Sequence, residues 1–229
     1  MARFAQILAE RKMTLVVSLP MNSVDMARVA VEYGAHALKI HVNVHHRASG
    51  NRFGSLIEEM DSIQDILATV NVPLGLVPGG ADAFISQDEF RIIEEWGVDF
   101  FSVYAQHMPL FLSEKTKLTR MIAIDHAITP LELQGISTAP IDVLEASIIP
   151  NEAYGFPLNF ADLIKYAGIV KSVNKPVLVP TQKAIKPTEV KNLSFIGVKA
   201  VMIGAVVTGQ DLECLKQVTA QFSEEICKL

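Results

Sequence analysis

Lys39, His41 and Asn43 alternate with Leu38, Ile40, Val42 and Val44 in the stretch Ala37–Val44. Successive side chains of a strand point to opposite faces. The segment therefore reads as a strand with an apolar face and a polar one. An ammonium buried on such a face is expensive unless it is put to use. Lys39 is a candidate for stabilising the oxygen of a developing enolate. A Schiff base on the same amine is the weaker chemistry, because nearby carboxylates would hold it protonated. Those carboxylates are Asp125, which closes the apolar run Met121–Ile124, and Glu145, which shares its parity with Val143 and Ser147. Either could take a proton next to a carbonyl. Glu145 could instead serve as a structural ion-pair partner of Lys39. Lys39, Asp125 and Glu145 are thus the candidate catalytic residues.

Further polar residues fall where the same face would continue. Ser18 ends an early apolar strand, and Ser102 and Tyr104 share one face of another. Ser18, His41, Asn43 and Tyr104 are expected to touch substrate. The segment His45–Gly54 is long and polar, with two arginines and two glycines. It suits a lid that closes on an anion, with Arg47 reaching the ligand. His41, His45 and His46 also raise a metal reading. Adjacent strand residues point apart, so His45 and His46 are poorly arranged for one ion, and neither metal nor cofactor is expected. Phosphate is expected near the chain segments Pro180–Lys183 and Ile203–Gly209. There Gly204 and Ala205 offer backbone N–H groups, Thr208 a hydroxyl, and Gln182 or Lys183 a side chain.

The elements that must position these residues alternate through the chain. Strands are expected at Thr14–Leu19, Ala37–Val44, Leu74–Val77, Phe100–Ala105, Met121–Asp125, Val143–Ile148, Val177–Thr181 and Val201–Ala205. Each is apolar enough to be a parallel strand buried on both faces. Helices are expected at Ser23–Tyr33, Gly54–Val70, Gln87–Trp96, Leu110–Lys115, Pro130–Gln134, Phe160–Val173, Pro187–Phe195 and Asp211–Lys228. Ser86 with Glu89 forms a capping box. Thr129 is an N-cap followed by a proline at the first helical position. Gly34, Gly97 and Gly197 each follow a bulky residue and precede a strand, as glycines that end helices do. Eight strand–helix units in 229 residues predict an α/β fold, a closed (β/α)8 TIM barrel, as a single domain over 1–229. An open doubly wound sheet would carry a glycine-rich turn after its first strand, and here that turn reads Leu19-Pro20-Met21.

Composition narrows the partners. Half the residues are hydrophobic and the formal charge is −5, which excludes a disordered chain and argues against nucleic acid or an anionic membrane as the main partner. No apolar run reaches membrane-spanning length, and no signal peptide is read. Cys214 and Cys227 match no zinc or redox spacing and read as reduced thiols of a cytoplasmic protein. The expected partner is a small phosphorylated metabolite, with a homo-oligomer left open.

With the last strands placed, Val177 through Thr208 resembles the ribulose-phosphate-binding group of barrels, and most nearly the N-acetylmannosamine-6-phosphate 2-epimerases. The final segment Val201-Met202-Ile203-Gly204-Ala205-Val206-Val207-Thr208 is similar to that family's last strand. Ile124-Asp125 is similar to its aspartate-ended fifth strand, Val16-Val17-Ser18 to its first, and Lys39 stands where it has an arginine. The resemblance implies an isomerase, epimerase or lyase acting on a phosphorylated sugar or sugar acid. The family's third-strand lysine is replaced here by Val77-Pro78-Gly79, and its glutamate–glycine pair by Thr181-Gln182. The rival expectation that follows is a phosphosugar-binding or regulatory barrel without catalysis. A metal-dependent barrel enzyme is the third.

Overall fold

The computed structural model describes residues 3–229. Eight parallel strands close on themselves in sequence order, β1 to β8, with β8 pairing back to β1. They are β1 (Thr14–Ser18), β2 (Ala37–His41), β3 (Leu74–Val77), β4 (Phe100–Tyr104), β5 (Thr119–Ile124), β6 (Val143–Ala146), β7 (Val177–Pro180) and β8 (Ala200–Ile203). The helices are α1 (Arg3–Glu10), α2 (Val24–Glu32), α3 (Leu56–Thr69), α4 (Gln87–Trp96), α5 (Pro130–Ile136), α6 (Phe160–Ser172), α7 (Val190–Phe195), α8 (Ala205–Thr208) and α9 (Leu212–Cys227).

The local signals act as their chemistry requires. The Ser86–Glu89 box caps α4, and Thr129 caps α5 with Pro130 at its start. Gly34, Gly97 and Gly197 take φ of 105°, 88° and 94°, where a Cβ would be strained.

Several expectations change. Leu110–Lys115 is only a 3-10 turn over Leu110–Ser113, closed by Ser113 Oγ donating to Leu110 O at 2.6 Å. The segment 187–195 splits into a 3-10 turn, Pro187–Glu189, and α7. β2 stops at His41 rather than Val44, because Asn43 turns left-handed at φ 57°. Its backbone N–H then donates to Gly54 O at 2.7 Å, and its Nδ2 to Pro78 O at 3.3 Å.

α1, which the sequence reading lacked, closes the bottom of the barrel. Phe4 and Leu8 lie one helical turn apart and are buried. The Phe4 ring stacks on Phe100 with centroids 3.9 Å apart. Around them Val16, Ala37, Met121, Val143, Leu178, Ala200 and Met202 form an apolar cluster separate from the larger core between strands and helices. Gly75 makes room for this plug: a Cβ there would sit 2.0 Å from the Phe100 ring. The interior is therefore largely apolar at its base, and the charged residues of the same faces sit above it.

Candidate active site

Above that apolar base, the C-terminal ends of the strands open into a cavity of about 520 Å³. This is the end at which barrels of this kind place their chemistry. At its floor Lys39 Nζ lies 3.5 Å from Glu145 Oε2, with side chains only 8% and 6% exposed. Ser102 Oγ donates to Glu145 Oε2 at 2.7 Å, and Ser147 Oγ to Oε1 at 2.8 Å. Both carboxylate oxygens are thus engaged, and the carboxylate is fixed in place. Lys39 makes one contact to it and keeps its other N–H donors.

Beside Lys39 on β2, His41 is buried and its Nε2 lies 3.5 Å from Ser18 Oγ. Its Nδ1 has no partner. Its ring packs against His46 at 4.6 Å and Phe53 at 4.7 Å, both from the loop after β2. Burial, reinforced by His46 and Lys39, holds His41 well below the usual imidazole range. Burial, then Lys39, brings His46 down to about 4. Both rings are therefore neutral at pH 7, which a crowded site with one ammonium favours.

Asp125 stands apart from the Lys39–Glu145 pair. It is half-buried at the end of β5, where its Oδ2 accepts from Gln106 Nε2 at 3.0 Å and its Oδ1 from Ala127 N at 2.8 Å. It still lines the cavity. Tyr104 lines it too, as do Ser147 and Tyr154. Burial, then the neighbouring Tyr154 and Glu145, pushes the Tyr104 phenol above its usual range. Ser18, His41, Asn43 and Arg47 also face the cavity.

The loop after β2 is a folded flap. His45 and Arg52 form an antiparallel bridge, and Asn51 Nδ2 donates to Pro20 O and to Gln210 Oε1 at 2.8 and 3.0 Å. Gln210 Nε2 returns a bond to Ser49 O at 2.7 Å. At the tip, Arg47 donates to Asn151 Oδ1 and lies over the Tyr154 ring, 5.8 Å from its centroid. The flap thus joins the β2, β6 and β8 sides of the mouth. His45 Nε2 pairs with Gly50 O and His46 Nδ1 with Ser49 Oγ. Among the described residues no three His, Cys, Asp or Glu side chains gather in metal-binding geometry.

Part of the expected phosphate seat is engaged by the protein itself, while the N–H groups of Ala205 and Val206 have no acceptor among the described residues. Gly204 N donates to Thr181 Oγ1 at 3.1 Å. Gln182 Oε1 accepts from Ile149 N, and its Nε2 donates to Ser147 O and the Tyr154 hydroxyl. Lys183 turns away from the cavity and pairs with buried Asp162 at 3.6 Å, where an unpaired ammonium would be costly. Thr208 is buried, with its hydroxyl on Gly209 O. Ala205 only opens the four-residue α8. Gln182 and Gly204 line the cavity, whereas Lys183, Ala205 and Thr208 do not.

Four residues gain roles that the strand pattern alone did not assign. Ser102 and Ser147 share inward parity with Tyr104 and Glu145, so their faces were readable. Asn151 and Tyr154 come from the connection after β6, whose path over the mouth has no periodic signal.

No family model matches this chain, and no curated protein matches it. Solved structures do share its fold. Thiamine phosphate pyrophosphorylase from Pyrococcus furiosus aligns with a TM-score of 0.67 at 15% identity, over 96% of this chain and 98% of that one. Phosphoribosyl anthranilate isomerase from Thermus thermophilus gives 0.65 at 15%, over 93% and 99%. Tryptophan synthase from M. tuberculosis in a ligand-free form gives 0.71 at 16%, over 99% of each chain. At such identities the likeness establishes the TIM-barrel fold. The likeness to the epimerases is not shown by these comparisons. Among the described residues no helix is long and apolar enough to cross a membrane.

Proposed function

We propose that this protein is an enzyme acting on a small phosphorylated sugar or sugar acid, taking a proton from the carbon next to a carbonyl. The observation that carries this reading is the buried Lys39–Glu145 pair at the floor of an open cavity. A pair held this far from water is weak evidence for stability, since its desolvation offsets much of its attraction. Its place at the catalytic end of a barrel gives it a use. Lys39, held by Glu145, offers N–H donors and positive charge to the oxygen that becomes negative as the proton leaves.

Glu145 is the positioning residue. Its oxygens are engaged by Ser102, Ser147 and, through a buried ion pair, Lys39, whereas Asp125 accepts only from Gln106 and Ala127 and is half-buried at the cavity wall, so the proton acceptor is assigned to Asp125. The outcome is an isomerisation, an epimerisation or a carbon–carbon cleavage, depending on where the enolate is reprotonated or broken. The names of two fold neighbours, a thiamine phosphate pyrophosphorylase and a phosphoribosyl anthranilate isomerase, support a phosphorylated substrate.

Val77-Pro78-Gly79, in place of the lysine that ends the third strand of the epimerases, favours the rival reading of a binder without chemistry. One experiment separates the two. The protein is incubated in D2O with dihydroxyacetone phosphate, ribulose 5-phosphate and related phosphosugars, and exchange at the α-carbon is followed by NMR. Exchange that disappears in Asp125→Asn, and in Lys39→Met under conditions where circular dichroism shows it folded, supports the enzyme. Tight binding without exchange establishes the binder.

A further inference from the structure

The cavity lining contains only two lysine or arginine side chains among the described residues, Lys39 and Arg47. Lys39 is already opposed by Glu145 at the floor. Asp82 and Asp125 make the ends of β3 and β5 acidic. At the ends of β7 and β8, Gly204 N and Gln182 are engaged internally and Lys183 is turned into its pair with Asp162. The N–H groups of Ala205 and Val206 remain without an acceptor at that end, but among the described residues the lining's one cationic side chain not opposed by a carboxylate stands at the tip of the flap.

That place has further donors. Arg47 gives one N–H to Asn151 Oδ1, and a guanidinium has five. Asn151 uses its Oδ1 on Arg47, which leaves its Nδ2 donors. The Tyr154 hydroxyl accepts from Gln182 Nε2 at 2.7 Å, so its own proton remains to be given. The Tyr154 ring lies beneath the guanidinium, which fixes the direction of a planar fork suited to carboxylate or phosphate oxygens.

We infer that Arg47, Asn151 and Tyr154 form the seat of the ligand's anionic group, a phosphate or a carboxylate, between the flap after β2 and the connection after β6. The inference rests on reading this cavity as a substrate site. It places the anion at the rim above Tyr104 and leaves the floor at Lys39 for the uncharged, reacting end. It also makes the ligand itself a link that holds the flap down.

The test uses the full chain, labelled with 15N and titrated with inorganic phosphate in one arm and acetate in the other. Backbone amides of Arg47, Asn151 and Tyr154 should shift together. Arg47→Met should weaken phosphate at least tenfold with an unchanged melting temperature, since Arg47 is exposed. Asn151→Ala should weaken it less. Whichever ion binds more tightly identifies the anionic class, and either result supports the seat. Shifts centred on Ala205 and Val206 would overturn it, as would an unchanged affinity in Arg47→Met or no response to either ion. Anion binding here without proton exchange on any phosphosugar would retire the proposed chemistry and leave the seat standing. Exchange with phosphate held at Ala205 would do the reverse.

Discussion

Lys39 and Glu145 meet at 3.5 Å although they come from β2 and β6, four strands apart around a ring of eight. Contact between opposite walls is possible because both side chains project inward just above the apolar plug. The same contact makes their energetics mutual. Lys39→Met leaves a buried carboxylate without its cation and should destabilise the fold by about 3–5 kcal/mol. Replacing both, as Lys39→Met with Glu145→Leu, should recover most of that loss, because no unpaired charge remains. Urea unfolding of the two single variants and the double variant measures the coupling. Additive losses would show that the pair does not interact in solution.

Phe4 should be a stability residue with no part in chemistry. It is fully buried and stacked on Phe100 at the base, and the cavity lies at the other end. Phe4→Ala should cost about 3–5 kcal/mol and leave ligand affinity unchanged in the folded fraction. Calorimetric unfolding reads the first quantity, and phosphate titration below the transition reads the second.

The histidines predict a pH dependence of stability. His36 is lowered to about 4 by burial and then Arg11, and its Nδ1 accepts from Leu15 N at 3.0 Å, which requires that nitrogen unprotonated. His46 is also near 4. Between about pH 6.5 and 4 the unfolded chain binds protons at these sites and the folded chain does not. Their contribution to stability is therefore complete above pH 6.5 and is lost as pH falls toward 4. His36→Gln should flatten this part of the profile, as read by unfolding midpoints across the window. A midpoint that rises on acidification from pH 6.5 would contradict the sign.

The flap is held to the β8 side through Gln210, which exchanges two hydrogen bonds with Ser49 and Asn51. Each such bond contributes about 0.5–1.5 kcal/mol net. Gln210→Ala should therefore raise the rate of tryptic cleavage after Arg47 and Arg52 several-fold without altering global unfolding. Phosphosugar should slow that cleavage in the wild-type protein. Identical rates with and without ligand would remove the lid role.

Much of the fold is legible in the sequence. Lys39 and His41 could be placed facing inward because strand geometry repeats every two residues. Glu145, Ser147, Ser102 and Tyr104 followed by the same parity. The helix stops at Gly34, Gly97 and Gly197 were readable because a left-handed residue is a local requirement. Asn43 shows where that reasoning stops. It continued the polar alternation, yet the chain turned left-handed there to bring the flap back over β2, and nothing within a few residues signals that return.

Sequence alone determined the eight alternating units, the closed barrel and the polar faces that look into it. The units and their faces follow from backbone periodicity and from burial on both sides of a parallel sheet, each decided within about ten residues, and the number of units implies the barrel. Tertiary structure decided which of those residues meet. It joined Lys39 to Glu145 and left Asp125 at the wall, turned Lys183 into a pair with Asp162, and carried Arg47 across the mouth to Asn151 and Tyr154. Such contacts depend on the tilt of the strands and the paths of long connections. They also depend on the cost of leaving a buried charge unpaired, a cost that is settled only when distant parts of the chain share one interior.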